Sequence, residues 1–111
     1  MEPTTAALRV QAFFGESDQV GHAARYEAIL EYLRKQGASG ATIERGVAGF
    51  GVHSKIHSAS ILDLSRDLPM VLTWVDSRSR VERALPGLKA LTEGAMVTVE
   101  EVNVLWRAIE E

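Results

Sequence analysis

The chain has 111 residues, of which 46% are hydrophobic and 24% charged, with a formal net charge of -3 and no cysteine. This length and balance predict one globular domain and disfavour binding to nucleic acid or to an anionic membrane surface. The lack of cysteine excludes disulfides, thiolate catalysis and cysteine-ligated metal sites. Because the chain shows neither a signal peptide nor an apolar run long enough to span a membrane, we expect a cytoplasmic protein.

The first half of the chain predicts a strand, a helix and a second strand. Apolar and polar residues alternate over residues 6–14, which is typical of a strand. After a turn, apolar residues recur at helical spacing and predict a helix from Gly21 to Gln36, with Gly37 as its C-terminal cap. Residues 40–48 are rich in strand formers and predict a second strand that runs into a glycine-rich turn.

The second half predicts a strand, a helix and a last strand. Residues 70–76 are apolar at nearly every position, as expected of a central strand. A serine at position 77 or 79 can cap the second helix, and Pro86 and Gly87 within it predict a bend or a late restart. Residues 96–105 return to strand character, and the successive glutamates at 100 and 101 predict a bulge or a bend there.

This order of elements predicts an α+β fold, the ferredoxin-like βαββαβ sandwich. Its four-stranded antiparallel sheet carries both helices on one face. We expect a single domain over residues 1–111, with its core at about residues 6–105. Two of the strands carry apolar residues on both faces, such as Phe13 beside Phe14 and Val71 beside Leu72. The uncovered sheet face therefore predicts a homo-oligomer.

The glycine-rich turn from Gly46 to Gly51, together with the polar segment after it, is the candidate binding site. No acidic residue occurs from Arg45 to Leu62, whereas two histidines and Lys55 lie there. Backbone N–H groups beside positive charge are the chemistry of an anion or phosphate site. The alternative is a plain hairpin connection. The candidate ligand-binding residues are Arg45, Gly46, Gly49, Phe50, Gly51, His53, Ser54 and Lys55.

Two acidic residues in the turn after the first strand have two interpretations. Glu16 and Asp18 either cap the first helix, which we favour, or contact a ligand. Divalent-metal binding is a further alternative, because imidazole is a common metal ligand. Its weak candidates are His53 and His57, with His22 or Asp18 as an additional ligand.

Catalysis is the least favoured alternative. Ser54 beside His53 or His57 contains the residue types of a serine nucleophile and its base. Such a pair also needs an orienting carboxylate, and Asp63 is the one acidic residue near it in sequence. We therefore expect that the protein is not an enzyme and uses no cofactor.

Four stretches together resemble a known family. GESD at residues 15–18, GASGATIERGVAGFGVHSKIH, LSRDLPMVLTWVD and LPGLKALTEGAMVTVEEVNV occur in that order. They are similar to family 190 of the domains of unknown function, which is placed among PII-like signalling proteins. The resemblance covers roughly Leu8 to Val104 and implies a ferredoxin-like homotrimer.

The resemblance also extends to one turn of the PII regulators. Gly49-Phe50-Gly51 is similar to the turn that closes their second strand, where nucleotide phosphates lie in the cleft between subunits. Val52 and His53 stand where PII proteins usually have arginine and glutamine. Thr92 to Ala95 holds one glycine and an acid where those proteins have a glycine-rich, lysine-bearing loop.

The resemblance implies a PII-like regulatory trimer. Such a protein binds a small anionic effector, for example an adenine nucleotide, at the clefts between subunits. It acts through a flexible loop, here residues 52–66, on a partner such as a membrane transporter. A divalent-metal-binding trimer and a small enzyme remain the alternatives.

Overall fold

The computed structural model of the chain describes residues 4–51, 57–58 and 67–105. Eight strands and two helices lie in these ranges. In chain order they are β1 (Thr5–Gly15), β2 (Gln19–Val20), β3 (Ala23–Ala24), α1 (Arg25–Lys35), β4 (Thr42–Arg45), β5 (Ala48–Gly49), β6 (His57–Ser58), β7 (Pro69–Asp76), α2 (Arg78–Leu91) and β8 (Met96–Val104).

The main sheet has four antiparallel strands in the order β4-β7-β1-β8. The central strand β1 pairs with β7 from Leu8 to Gly15 and with β8 from Thr5 to Phe13. Both helices pack on the same face of the sheet, where their buried side chains join those of β1 and β7 in one core. The predicted ferredoxin-like α+β fold is confirmed.

The core forms because apolar residues recur at period two in the strands and at helical spacing in the helices. From β1 and β7 come Leu8, Val10, Ala12, Phe14, Met70, Leu72 and Trp74; the helices contribute Ile29, Leu33, Val81, Ala84 and Leu88. Burial of each large side chain contributes about 1.5–3 kcal/mol of transfer free energy. Within the described ranges, neither helix is long and apolar enough to cross a membrane.

A buried carboxylate joins three segments at one end of this core. Asp76 is fully buried, and its oxygens accept hydrogen bonds from the Ser39 N–H (2.9 Å), the Trp74 indole N–H (3.0 Å) and the Ser77 N–H (2.9 Å). The Arg80 guanidinium lies 3.7 Å away. Burial acts to raise the pKa of Asp76, but these hydrogen bonds and the arginine outweigh it and hold the pKa below its ordinary value. The charged form therefore stabilises this junction.

The two helices approach closely at a glycine. A Cβ atom added to Gly87 would lie 2.2 Å from the Tyr32 hydroxyl oxygen, so any other residue there would force the Tyr32 ring to move. That hydroxyl donates a hydrogen bond to the Ala84 carbonyl (2.9 Å). The helix α2 runs unbroken through Pro86, so the predicted late restart is wrong. Gly87 serves the packing of α1 against α2.

The two caps that were predicted from glycine and serine are present. Gly37 has φ +81°, and its N–H donates to the Arg34 carbonyl while the next N–H, of Ala38, donates to the Leu33 carbonyl. These two bonds form a Schellman motif, which satisfies carbonyls at the end of α1. Ser77 caps α2, because its hydroxyl accepts a hydrogen bond from the Arg80 N–H (3.3 Å).

The predicted start of the first helix at Gly21 is wrong. Residues 19–24 form the β2–β3 hairpin, and Gly21 has φ +62° in its turn. The helix begins at Arg25 after Ala24, which offers no side-chain cap. The Asp18 carbonyl accepts a hydrogen bond from the Arg25 N–H (2.8 Å), which is the first N–H of the helix, so the favoured capping interpretation holds for Asp18 through its backbone. The Glu16 side chain pairs with Arg45 instead, so capping by Glu16 is wrong.

Two further details of the strands differ from the sequence prediction. The second long strand is shorter than residues 40–48, because the backbone leaves the sheet after Arg45 and Val47 is 78% exposed. The predicted bulge at residues 100 and 101 is wrong, because β8 pairs with β1 in one continuous register. Glu100 lies directly opposite Arg9 and forms an ion pair with it, while Glu101 pairs with Arg78 across 3.4 Å. The two successive glutamates therefore point to opposite faces of the sheet, and each forms an ion pair with an arginine there.

The face of the sheet without helices is mixed in polarity. Phe13, Val71 and Val75 lie on it and are half-buried, as expected from the doubly apolar strands. Polar residues lie between them, and the Gln11 amide donates a hydrogen bond to the Thr73 hydroxyl (3.1 Å). This face therefore carries both half-buried apolar side chains and hydrogen-bonded polar ones.

Asp76→Asn tests the buried carboxylate. We expect the free energy of unfolding to fall by about 2–3 kcal/mol at neutral pH, because an amide cannot accept from all of these donors. The folded pKa is depressed, so the stabilisation is present above the ordinary value of 3.8 and is lost as pH falls through the folded pKa. Urea unfolding at pH 7 and below pH 4 measures both effects.

The exposed Glu82→Gln on α2 is the control for loss of one negative charge. It is expected to change stability by less than about 0.5 kcal/mol. Equal stability of the Asp76→Asn variant and the parent at neutral pH would contradict a structural role for this carboxylate.

Candidate functional site

The glycine-rich turn starts where β4 ends and is held against the first residue of β7. The Gly46 N–H donates a hydrogen bond to the Pro69 carbonyl (2.7 Å). A Cβ atom at Gly46 would lie 2.8 Å from Pro69 Cγ, and one at Gly49 would lie 3.1 Å from the same atom. At Gly46 and Gly49 the lack of a side chain therefore lets the turn lie close to the Pro69 ring.

The third glycine of the turn is different. No described atom lies within 4 Å of the position that a Cβ would take at Gly51. None of the glycines at 46, 49 and 51 has a positive φ, so no unusual dihedral demands glycine here. Phe50, beside Gly51, is 72% exposed. This part of the turn offers open backbone and an exposed aromatic ring.

The backbone after the turn returns as a small hairpin. Ala48 pairs with Ser58 and Gly49 with His57, both antiparallel, so β5 and β6 run beside each other outside the main sheet. The intervening candidates His53, Ser54 and Lys55 lie outside the described residues, as does Asp63. For these residues the sequence prediction stays a prediction.

The positive charge next to the turn is balanced by a residue that is distant in sequence. Arg45, the last residue of β4, is 60% exposed, and its Nε lies 3.5 Å from Oε2 of Glu16. Glu16 follows β1, and its side chain is 25% exposed. The stretch from Arg45 to Leu62 contains no acidic residue, but folding places the Glu16 carboxylate beside Arg45, its first residue.

Tyr26, in the first turn of α1, lies in the same electrostatic environment. The pKa of Tyr26 is raised above its ordinary value. The largest cause is a hydrogen bond to Glu27, followed by the negative charge of Glu27, by burial and by the negative charge of Glu16. The positive charge of Arg45 acts in the opposite direction and lowers this pKa. Among the described residues, the Arg45 guanidinium thus lies beside the Glu16 carboxylate and close to Tyr26 in α1. Lys55 and His53 lie outside the described residues, so the positive charge that the sequence predicts for them stays a prediction.

The turn between β1 and β2 fixes Glu16 through its backbone. The Glu16 N–H donates to the Leu68 carbonyl (2.8 Å), and the Ser17 N–H donates to Oδ1 of Asp67 (3.0 Å). A Cβ at Gly15 would lie 2.6 Å from the same Asp67 oxygen, so the turn and residues 67–68 are in tight contact. The Gly15–Asp18 turn therefore touches both ends of the segment that connects β4 to β7.

Asp18 connects this turn to the first residue of α1. Its Oδ2 lies 3.2 Å from Nη1 of Arg25, and its carbonyl accepts the Arg25 N–H (2.8 Å). Nη2 of Arg25 donates to the Glu93 carbonyl (3.1 Å), which belongs to the turn between α2 and β8. Asp18 thus has a structural partner, and Arg25 joins two loops.

The turn at residues 92–95 closes on itself. The Thr92 hydroxyl donates to the Leu88 carbonyl (2.7 Å), and the Ala95 N–H donates to the Thr92 carbonyl (2.8 Å). Gly94 has φ +82°, which explains the single glycine of the turn. This short turn agrees with the departure noted from the sequence, in which residues 92–95 differ from the glycine-rich, lysine-bearing loop of PII proteins.

The candidate metal ligands are not brought together in the described part of the chain. His22 is exposed in the β2–β3 turn, and Asp18 is paired with Arg25. Among the described residues, no three His, Cys, Asp or Glu side chains form a group that could hold a metal ion. The side chains of His53 and His57 lie outside this description, so metal binding by them stays a prediction.

These elements define a ferredoxin-like α+β domain with a candidate site at the corner where β4 ends. The sequence model of family DUF190, described as Uncharacterized ACR, matches residues 7–104. The chain belongs to this family, and the resemblance noted from its motifs is confirmed. A UPF0166 protein from Aquifex aeolicus is 31% identical over 81 residues, which are 73% of this chain and 76% of that protein.

Solved structures of PII-like proteins share the fold. A structure of CPII bound to ADP and bicarbonate, from Thiomonas intermedia K12, has a TM-score of 0.72 at 17% identity and covers 96% of this chain and 95% of that chain. The GlnK–ATP complex of B. subtilis has a TM-score of 0.54 at 17% identity and covers 92% of this chain and 84% of that chain. At these identities the likeness establishes the architecture.

Alanine substitutions separate the two kinds of glycine in the turn. We expect Gly46→Ala to lower the free energy of unfolding by about 1–3 kcal/mol, because its Cβ would overlap the Pro69 ring. Gly51→Ala meets open space and is expected to be neutral or slightly stabilising, by less than about 1 kcal/mol. Urea unfolding of both variants checks this, and equal stabilities would show that the contact with Pro69 is unimportant.

Proposed function

We propose that this protein is a PII-like regulatory module that binds a small anionic effector, such as an adenine nucleotide, at the corner formed by Arg45 and the Gly49–Gly51 turn. The observation that carries the proposal is the likeness over 96% of the chain to a protein that was solved with ADP and bicarbonate bound. Membership of DUF190 agrees with it but assigns no activity.

The chain's own residues at this corner suit such a ligand. Gly51 leaves its backbone approachable, and the exposed Arg45 supplies guanidinium donors for phosphate or carboxylate oxygens. The exposed ring of Phe50 offers a face on which a purine base can stack. Lys55, His53 and Ser54 are assigned to the same site from the sequence.

We further propose that the active form is a homotrimer whose sheets face the inside of the assembly. Exposed large apolar side chains lie at both edges of the sheet: Val47 and Phe50 follow the edge strand β4, and Met96, Val99 and Leu105 lie on or just after the edge strand β8. These two surfaces are different, so contact between them is head-to-tail, and it forms a closed trimer where the rotation between neighbouring subunits is one third of a turn. The candidate corner would then lie at a boundary between subunits.

In this proposal residues 52–66 act on a partner such as a membrane transporter when the effector binds. The support for this step is the resemblance to PII regulators, in which a loop at this place responds to the ligand. The position of the segment agrees with it, because its two ends adjoin the candidate corner through Gly51 and through Asp67.

Calorimetric titration with ADP, ATP and inorganic phosphate tests the binding site. Arg45→Gln removes the guanidinium and Gly51→Val blocks the backbone, and each is expected to weaken binding by about 1–3 kcal/mol. Added salt should weaken binding to the parent more than to Arg45→Gln, because an exposed charge is screened. Divalent cations form a separate arm that tests the metal-binding alternative.

Two controls make the same kinds of change elsewhere. Arg83→Gln removes an exposed arginine of α2, and Gly40→Ala adds a methyl group where no described atom is within 4 Å. Both should bind as the parent does. If neither a nucleotide nor phosphate binds to the parent, or if both site variants bind as well as the controls, the proposed site is refuted.

Light scattering tests the assembly. The chain mass of 12.1 kDa gives about 36 kDa for a trimer. Val47→Asp and Val99→Asp each place a charge on one of the two apolar edges and are expected to give monomers. An equal mixture of the two variants retains one intact edge of each kind and should form a dimer of about 24 kDa. Arg83→Asp on α2 serves as the control, and a monomeric parent at micromolar concentration would contradict the trimer.

A further inference from the structure

The pairing of Arg45 with Glu16 has a consequence for any anion that binds at this corner. Arg45 is 60% exposed, whereas the carboxylate that faces it is only 25% exposed and lies 3.5 Å from its Nε. An incoming phosphate must either displace Glu16 from the guanidinium or bind with this carboxylate still nearby. Each route costs binding free energy, since the first breaks an ion pair and the second brings like charges together.

Glu16 is held in place by groups other than its own side chain. Its N–H bonds to the Leu68 carbonyl (2.8 Å), and the next N–H, of Ser17, bonds to Asp67 (3.0 Å). Gly15, on its other side, fits against Asp67 so closely that it has no room for a Cβ. The backbone that carries the carboxylate is therefore fixed beside Arg45, and a change of its side chain leaves these backbone contacts intact.

We propose that Glu16 is an internal competitor for Arg45 and thereby sets the affinity of the anion site. This inference rests on the proposed function, because it concerns the same corner. In the free protein Glu16 occupies the guanidinium and lowers the affinity for every anion that uses Arg45, so that only a ligand with further contacts, such as a nucleotide, binds well. The Glu16 side chain thus lowers the affinity of the site for all such anions alike, although it need not contact the ligand itself.

A double-mutant cycle tests this competition. The parent, Glu16→Gln, Arg45→Gln and the double variant are titrated by calorimetry with two probes, ADP and inorganic phosphate. We expect Glu16→Gln to raise the affinity for both probes by roughly three- to tenfold, the scale of a surface ion pair plus the relieved repulsion. In the Arg45→Gln background the same substitution should change affinity by less than about twofold. Urea unfolding confirms that each variant is folded.

Glu82→Gln is the matched control, because Glu82 is also an exposed acid near an arginine, 3.9 Å from Arg78. It should leave both affinities as in the parent. An equal gain from Glu82→Gln and Glu16→Gln would mean that net charge alone is responsible, and this would overturn the proposal.

The remaining outcomes separate this inference from the proposed function. If Arg45→Gln weakens binding while Glu16→Gln has no effect or also weakens it, the anion site stands and the competition is refuted. If phosphate binds only to Glu16→Gln, the competition is supported in its strongest form. If neither the parent nor Glu16→Gln binds either probe, both the site and the inference are wrong.

Discussion

The pairing of β1 with β7 on one side and β8 on the other is the constraint on which the rest of the structure depends. Its continuous antiparallel register places Leu8, Val10, Ala12 and Phe14 under the helices and leaves the opposite face uncovered. It also brings Gly15, at the end of β1, opposite Pro69, at the start of β7. The turn that follows β1 and the turn that follows β4 therefore meet at one corner of the sheet, and the candidate site lies there.

Much of the fold could be predicted because apolar periodicity is a local property of sequence. The order of the long elements, the Schellman cap at Gly37 and the cap at Ser77 are all read from neighbouring residues. One error was local, because the short β2–β3 hairpin of residues 19–24 delays the start of the first helix. Another arose where a partner distant in sequence decides the structure, since Glu100 pairs with Arg9 across the sheet and β8 stays regular without a bulge.

The candidate site could be predicted only in part, for the same reason. A glycine in a sequence can indicate that another group lies too close for a side chain, but it does not identify that group. At Gly46 and Gly49 the group is the Pro69 ring. The sequence has no acidic residue shortly after Arg45. Glu16, which precedes α1 in the chain, nevertheless lies beside that arginine in the folded protein. The tertiary structure therefore leaves Phe50 and Gly51 as the part of the turn that a ligand can approach, and it places a carboxylate beside Arg45.

The hydrogen bond between Trp74 and Asp76 gives the molecule an internal optical probe. The indole of Trp74 is 1% exposed, and its N–H points at a carboxylate that also joins the α1–β4 loop to the start of α2. An indole in such surroundings emits fluorescence at shorter wavelength than one in water, and it does so only while this junction is intact. The chain has two tryptophans, so replacing Trp106 by phenylalanine would leave Trp74 as the single emitter. Unfolding of the junction could then be followed separately from events at the opposite end of β1, where the candidate corner lies.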